Sequence, residues 1–149
     1  MRAVVQRVVS ARVLVDGVVR GAIGAGLLVY LGIGAQDDEP ALGYMVEKII
    51  GLRVFADEAG KMNRSVVESG GGLLVISQFT LYGDVRRGRR PAFDQAMEPE
   101  GARRMYERFI EASRARGVQT ETGEFRAHMT VDSQVDGPIT ILIDSARLF

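Results

Sequence analysis

RAVVQRVVSARVLVDGVVRGAI, Arg2 to Ile23, is the stretch whose reading decides the fold. Its apolar residues alternate with polar ones or run together as β-branched side chains, a period-two pattern that suits strands and not a 3.6-residue helix. Between the two runs, Asp16-Gly17 supplies the two positive-φ positions of a type I′ turn, a strong short-range hairpin signal. The chain therefore opens on a β-hairpin, and the later strands are additions to a sheet already begun.

Outward from the hairpin, LLVYLGI (Leu27 to Ile33) reads as a buried strand. Asp37, Asp38 and Pro40 make a helix start, and Leu42, Met45, Val46, Ile49, Ile50 and Arg53 keep helical spacing, which predicts a helix over Pro40 to Val54. Asp57 to Ser69 is polar and loop-like, closed by Gly70-Gly71-Gly72. LLVIS, Leu73 to Ser77, is a continuous apolar run of strand length, the kind buried on both faces in the middle of a sheet. A second helix is predicted from Pro99, with Ala102, Met105, Tyr106, Phe109, Ile110 and Ser113 on one face and Gly117 just past its end. Val118 to Thr122, Met129 to Val135 and Ile139 to Ile143 read as strands. Asp136-Gly137-Pro138 reads locally as a tight turn between the last two. Neither repeats nor a linker interrupt the pattern, so one domain of mixed α+β (α/β) class is expected over residues 1–149.

Composition narrows the function classes. Hydrophobic residues make up 46% of the 149 and charged ones 26%, with formal net charge zero, a soluble globular profile without the basic excess of a general nucleic-acid binder. The chain has no cysteine and a single histidine, so it has no thiolate nucleophile, His128 cannot build a histidine metal site alone, and neither metal nor cofactor is expected. AGLLVYLGIGA is too short and too rich in glycine for a membrane span, and the N-terminal residues lack a long apolar leader. A cytoplasmic protein is the expectation. Gly21, Gly24, Gly26, Gly32 and Gly34 do not form a dinucleotide loop, because Gly26 leads into a strand and not a helix; they read as turn glycines. No phosphate loop or GxSxG elbow is present. His128, in FRAHMTV, has no neighbouring ligand or triad spacing and reads as a structural or surface histidine.

The most unusual segment is SQFTLYGDVRRGRRPAF, Ser77 to Phe93. Ser77, Gln78 and Thr80 put hydroxyl and amide groups where an apolar strand emerges, either as strand-end hydrogen bonding or as a binding site on a rigid support. Arg86, Arg87, Arg89 and Arg90 come next, either as a solvated loop or as a small phosphate footprint on a neutral protein.

Taken in order, MRAVVQRV at the N-terminus, GKMNRSV at 60–66, SQFTLYG at 77–83, RRGRRPAF at 86–93, ETGEFRAHM at 121–129 and DGPIT at 136–140 resemble the D-aminoacyl-tRNA deacylase family of bacterial and eukaryotic type. The matches cover essentially the whole chain. The resemblance implies a strongly twisted, mainly antiparallel sheet in barrel-like layers with two main helices. It implies a homodimer with active sites at the subunit interface, hydrolysing the ester between a D-amino acid and the terminal adenosine of tRNA, and cleaving glycyl-tRNA too. Ser77, Gln78, Phe79 and Thr80 would then carry the catalytic wall, with backbone donors near Ser77, Gln78 and Phe79 holding the ester and the tRNA's own 2′-hydroxyl assisting. Thr80 would shape the pocket and not attack, since no base neighbours it. Gly137 and Pro138, joined by a cis bond and donated by the partner subunit, would reject L-amino acids, with Met129 and Arg7 beside them; Arg7 would brace the Gly-Pro loop. Arg86, Arg87, Arg89 and Arg90 would contact tRNA. Arg126, His128 and Val135 depart from the family pattern, which has Gly, a small acid and Asn at those places. The alternatives are a non-catalytic module that binds the tRNA end, and a small-molecule esterase working through Ser77 or Thr80.

Overall fold

The computed structural model describes residues 1–149. It contains β1 (Arg2–Val15), β2 (Val18–Ile23), β3 (Gly26–Gly32), α1 (Glu39–Ile50), β4 (Phe55–Ala56), β5 (Met62–Arg64), β6 (Gly72–Ser77), a 3₁₀ turn (Phe79–Tyr82), α2 (Pro99–Ala115), β7 (Thr120–Thr122) and β8 (Thr130–Asp144). Asp16 (φ 51°) and Gly17 (φ 78°) form the expected turn between β1 and β2.

The opening hairpin is longer than its turn suggests. β2 and β3 both run antiparallel to β1, and the pairs Ala11↔Ile23 and Val8↔Gly26 are three residues apart on each strand, so one register is kept across Gly24-Ala25. The two are therefore one bent strand. β3 then pairs in parallel with β6, and β6 in parallel with β7, while β8 runs antiparallel along the other edge of β1. The strongly twisted sheet curls into a nearly closed barrel-like layer, mixed α/β with two helices.

Curling explains why Leu73 to Ile76 are apolar without alternation. Leu73 and Val75 join a 22-residue core that includes Leu27, Val29, Leu31, Met45, Ile49 and Phe109. Leu74 and Ile76 point the other way, into a 7-residue cluster with Val8, Val13 and Leu28. The first cluster lies under α1 and α2 and the second fills the concave side, so each residue from Leu73 to Ile76 leaves water while Ser77 at the strand end stays partly exposed. The helices are amphipathic for the same reason. Their buried rows, Leu42, Met45, Val46, Ile49 and Ile50 in α1 and Met105, Tyr106, Phe109, Ile110 and Ser113 in α2, cover the sheet.

Several boundaries differ from the expectations. The first helix stops at Ile50 with Gly51 at its C-cap. Arg53 leaves the helical row, and its Nε donates instead to Asn63 O at 2.6 Å. The polar stretch after it carries the small β4–β5 hairpin, organised by Asp57, whose carboxylate accepts from the Ala59 and Lys61 amides and the Asn63 side chain. β7 begins at Thr120, not Val118.

The largest correction concerns Asp136-Gly137-Pro138. It is not a turn between two strands, because both sides of it pair with β1 in the same direction. Gln6 pairs with Thr140 and Val8 with Val135, so Arg7 alone faces residues 136–139, and the extra chain bulges out of β8. Positive φ at Gly137 (121°) and the cis Gly137–Pro138 bond shape that bulge. The glycines at 21, 26 and 32 are strand residues and not turn residues, whereas Gly34 does open a turn, its carbonyl accepting from the Asp37 N–H at 3.1 Å. A Cβ on Gly26 would stand 2.0 Å from Gly72 O, and one on Gly34 would stand 2.7 Å from the Tyr82 ring, so these positions serve close approach. No helix is long and apolar enough to cross a membrane.

Candidate active site

β6 delivers Ser77 and Gln78 to the end of the sheet, where the Gln78 N–H donates to Leu31 O at 2.8 Å and thereby closes the last rung toward β3. The chain then tightens into the 3₁₀ turn Phe79–Tyr82. A Cβ on Gly32 would lie 2.9 Å from Gln78 O, so the turn can sit directly against β3. Its far end is held by Tyr82, whose hydroxyl donates to Asp37 Oδ2 at 3.2 Å and whose ring lies under the Arg2 guanidinium at 4.6 Å. Burial, with Asp37 beside it, pushes the Tyr82 phenol far above its ordinary range, so it stays a neutral donor. Arg2 also donates to Leu81 O at 3.0 Å and to Asp144 at 3.0 Å. Asp37, expected only as part of a helix start, is a hub: it also accepts from the Gly34 amide and pairs with the Met1 ammonium, while Asp38 alone caps α1.

Beside this turn lies a cavity of about 470 Å³. Ser77, Gln78 and Phe79 form one wall, and Phe125, Arg126, Ala127, His128 and Met129 form the facing one, with Met97, Pro99 and Ala102 at the start of α2 beneath. The second wall comes directly after β7 and turns at the Ala127 N–H to Glu124 O hydrogen bond, 3.2 Å. Met129 packs against the concave core, which anchors that wall to the barrel.

The residues singled out in the sequence thus fall into four places. Ser77, Gln78, Phe79 and Met129 line the cavity. Thr80 is exposed and does not line it; its hydroxyl accepts a hydrogen bond from the Gln78 side chain. Ser77 and His128 share the cavity, yet no hydrogen bond joins them, so the wall carries no assembled nucleophile and base. The Gln78 amide is spent on Leu31 O, whereas the Phe79 amide, first in a 3₁₀ turn, has no intrahelical acceptor.

Gly137 and Pro138 lie on the bulge of β8 and Arg7 lies opposite them on β1, and none of the three is in the cavity of the same chain. Arg7 is mostly buried between β3 and the bulge. Its Nη1 donates to Val54 O at 2.6 Å, and its Nε stands 2.8 Å from Asp136 Oδ2 without an in-line hydrogen bond, a Coulombic contact to the residue that precedes Gly137. Around it the outer edge of β8 is unpaired, and Val135 and Leu142 are exposed.

Arg86, Arg87, Arg89 and Arg90 occupy an exposed loop pinched at its base by reciprocal Asp84–Ala92 backbone bonds of 2.8 and 2.9 Å. Phe93 stacks edge-on against Phe79 with 5.0 Å between centroids, which ties this loop to the cavity wall. Arg86 is not free: it bonds the Asp84 carboxylate through Nε and Nη2. These bonds, with the Arg86 amide, hold Asp84 down to about 2. Arg87, Arg89 and Arg90 make no ion pair.

The sequence reading did not find Arg2, Asp37, Tyr82 and the two close-packed glycines Gly32 and Gly34. Tyr82 lay inside SQFTLYG, but nothing local shows that it anchors the turn from behind.

Known proteins resemble this chain in sequence and in fold. The family described as D-Tyr-tRNA(Tyr) deacylase matches residues 4–144. A D-aminoacyl-tRNA deacylase of Symbiobacterium thermophilum is 60% identical over 149 residues, covering 100% of this chain and 99% of that protein. One from Thermotoga petrophila is 54% identical with 100% of both covered. Among solved structures, the c-Myc DNA Unwinding Element Binding Protein superposes with TM-score 0.92 at 44% identity, covering 97% of this chain and 98% of that one. A probable eukaryotic D-amino acid tRNA deacylase shares the fold, with TM-score 0.81 at 22% identity over 95% of this chain and 97% of that one.

Proposed function

The chain belongs to the D-Tyr-tRNA(Tyr) deacylase family, and from that premise we propose that it hydrolyses the ester of D-aminoacyl-tRNA, releasing the D-amino acid and free tRNA. The observation that carries this reading is the cavity at the end of β6: a small, largely apolar chamber with Ser77, Gln78 and Phe79 on one wall and no nucleophile-base pair. Such a site suits an activated ester, which needs positioning and a donor for its oxyanion more than a protein nucleophile. The Phe79 amide is the donor best placed for that charge, and the Gln78 amide is not, being already bonded. Water attacks the ester carbonyl; the vicinal 2′-hydroxyl of the terminal ribose assists proton transfer to the departing 3′ oxygen. Thr80, outside the cavity and bonded to Gln78, keeps that side chain in place.

Chiral selection is assigned to Gly137 and Pro138 of a second copy of the chain. Their exposure on a bulge away from their own cavity, beside an unpaired strand edge with exposed Val135 and Leu142, supports this arrangement. Backbone groups inserted into the cavity leave no room for an L side chain, and rejection of the wrong hand supplies the specificity. Glycine offers nothing to reject, so glycyl-tRNA is cleaved as well. Arg87, Arg89 and Arg90 meet tRNA phosphates, with Arg86 shaping the loop through Asp84. A protein acting on charged tRNA works in the cytoplasm.

The test is turnover of matched substrates. Purified protein clears D-tyrosyl-tRNA and glycyl-tRNA, leaves L-tyrosyl-tRNA, and sediments as a dimer; a terminal 2′-deoxyadenosine slows the reaction sharply. Protein that binds tRNA but leaves D-tyrosyl-tRNA intact, where a family relative clears it, overturns the enzymatic reading in favour of an RNA-end binding module.

A further inference from the structure

The cavity beside Ser77 carries a charge for which the ester chemistry has no use. Among its lining residues Arg126 alone has a permanent charge, and none is an Asp or Glu. Its side chain is exposed and makes no ion pair; the neighbouring acid, Glu124, lies toward Arg20 at 3.5 Å. The backbone at Arg126 has φ 68°, a region glycine occupies more easily. A position that favours the smallest residue holds a long cation at the rim of the substrate chamber.

The surroundings strengthen the field and exclude another source for it. Arg103 of α2 stands over the ring of Phe125, 5.1 Å from its centroid, and has no carboxylate partner either. The start of α2 cannot serve an anion in place of the arginines, because the Glu98 carboxylate already accepts from the Glu100 and Gly101 amides. An anion at this rim is met by Arg126, with Arg103 behind it.

We propose that Arg126 binds the phosphodiester on the 5′ side of the terminal nucleoside whose ester occupies the cavity. This rests on the deacylase reading. The guanidinium fork matches two phosphate oxygens. Because the phosphate does not change during hydrolysis, the contact is equal in ground and transition states and acts on KM, leaving kcat alone.

Arg126→Gly tests this cleanly, since glycine suits the backbone there, and Arg126→Lys keeps the charge without the fork. On D-tyrosyl-tRNA at low salt, Arg126→Gly raises KM about tenfold with kcat unchanged. The slope of log KM against log salt falls by about 0.7–0.9, the loss of one phosphate contact. Lysine recovers part of both. On D-tyrosyl-adenosine, which has the ester but no phosphodiester, the variants match the wild type. Unchanged KM and slope on tRNA, or equal losses on both substrates, overturn the proposal. Should the wild type cleave neither ester, the deacylase reading falls, and a fluorescein-labelled CCA trinucleotide still judges Arg126: weaker binding by Arg126→Gly upholds the contact, and equal binding overturns it.

Discussion

Replacing Arg7 and Asp136 one at a time separates what holds the sheet from what holds the bulge. Arg7→Met keeps an apolar stem of similar reach but loses the 2.6 Å bond to Val54 O and the 2.8 Å contact with Asp136. The first, a charge-assisted bond from a mostly buried group, is worth about 1.5–3 kcal/mol. The second is discounted because Asp136 is 48% exposed and contributes about 0.2–1 kcal/mol. Together they place Arg7→Met about 2–4 kcal/mol below the wild type, a fall in Tm of about 5–15 °C for a chain of this size. Asp136→Asn removes only the smaller contribution and lowers Tm by no more than about 4 °C. Activity ranks the two differently, because Asp136 directly precedes Gly137. Freeing it displaces the backbone to which we assign chiral selection, and a shift on the order of 1 Å can cost about a hundredfold in rate. Thermal melts and single-turnover deacylation of D- and L-tyrosyl-tRNA read both quantities. Asp136→Asn with kcat within about twofold of wild type and an unchanged D-to-L ratio refutes the bracing role. A Tm loss for Arg7→Met no larger than that for Asp136→Asn refutes the energetic division.

Gly34→Ala puts a Cβ 2.7 Å from the Tyr82 ring, which Asp37 and Arg2 hold in place; overpacking of about 1–3 kcal/mol lowers Tm, and the same change costs less in a Tyr82→Leu background. The Asp84 carboxyl, held near 2 by the Arg86 side chain and then by its amide, titrates by NMR about two units below an ordinary aspartate. Its folded value is lowered, so the Asp84–Arg86 contact is present above the ordinary aspartate range and is lost as pH falls through about 2; Arg86→Ala returns the midpoint upward. Tyr106→Phe deletes the buried hydroxyl that donates to Val75 O at 2.7 Å, costs about 1 kcal/mol in urea unfolding, and leaves deacylation unchanged.

Local pattern made most of the fold legible. The alternation in Arg2–Val15, the Asp16-Gly17 turn, the spacing in α1 and α2 and the unbroken apolar run of LLVIS each arise from chemistry within a few residues, and each element is present. The order of motifs identified the family, and the wall from Ser77 to Phe79 was visible because a polar group at the end of a buried strand is conspicuous. The joining of β2 and β3 into one strand was not legible, since Gly24-Ala25 looks like any loop until β1 supplies a common register.

The sequence by itself determined the mixed class, the two helices, the central strand and the family. Only the tertiary structure decided that Asp136-Gly137-Pro138 is a bulge and not a turn, because that depends on β1 pairing with both sides of it. It alone decided that Gly34 makes room for Tyr82, that Arg86 is spent on Asp84 while Arg126 is not, and that Thr80 stays outside the cavity. The physical reason is range. Strand alternation and helical spacing are set by neighbours along the chain, whereas a bulge, a close approach or an unpaired charge is defined by residues far apart in sequence that the fold brings within a few ångströms.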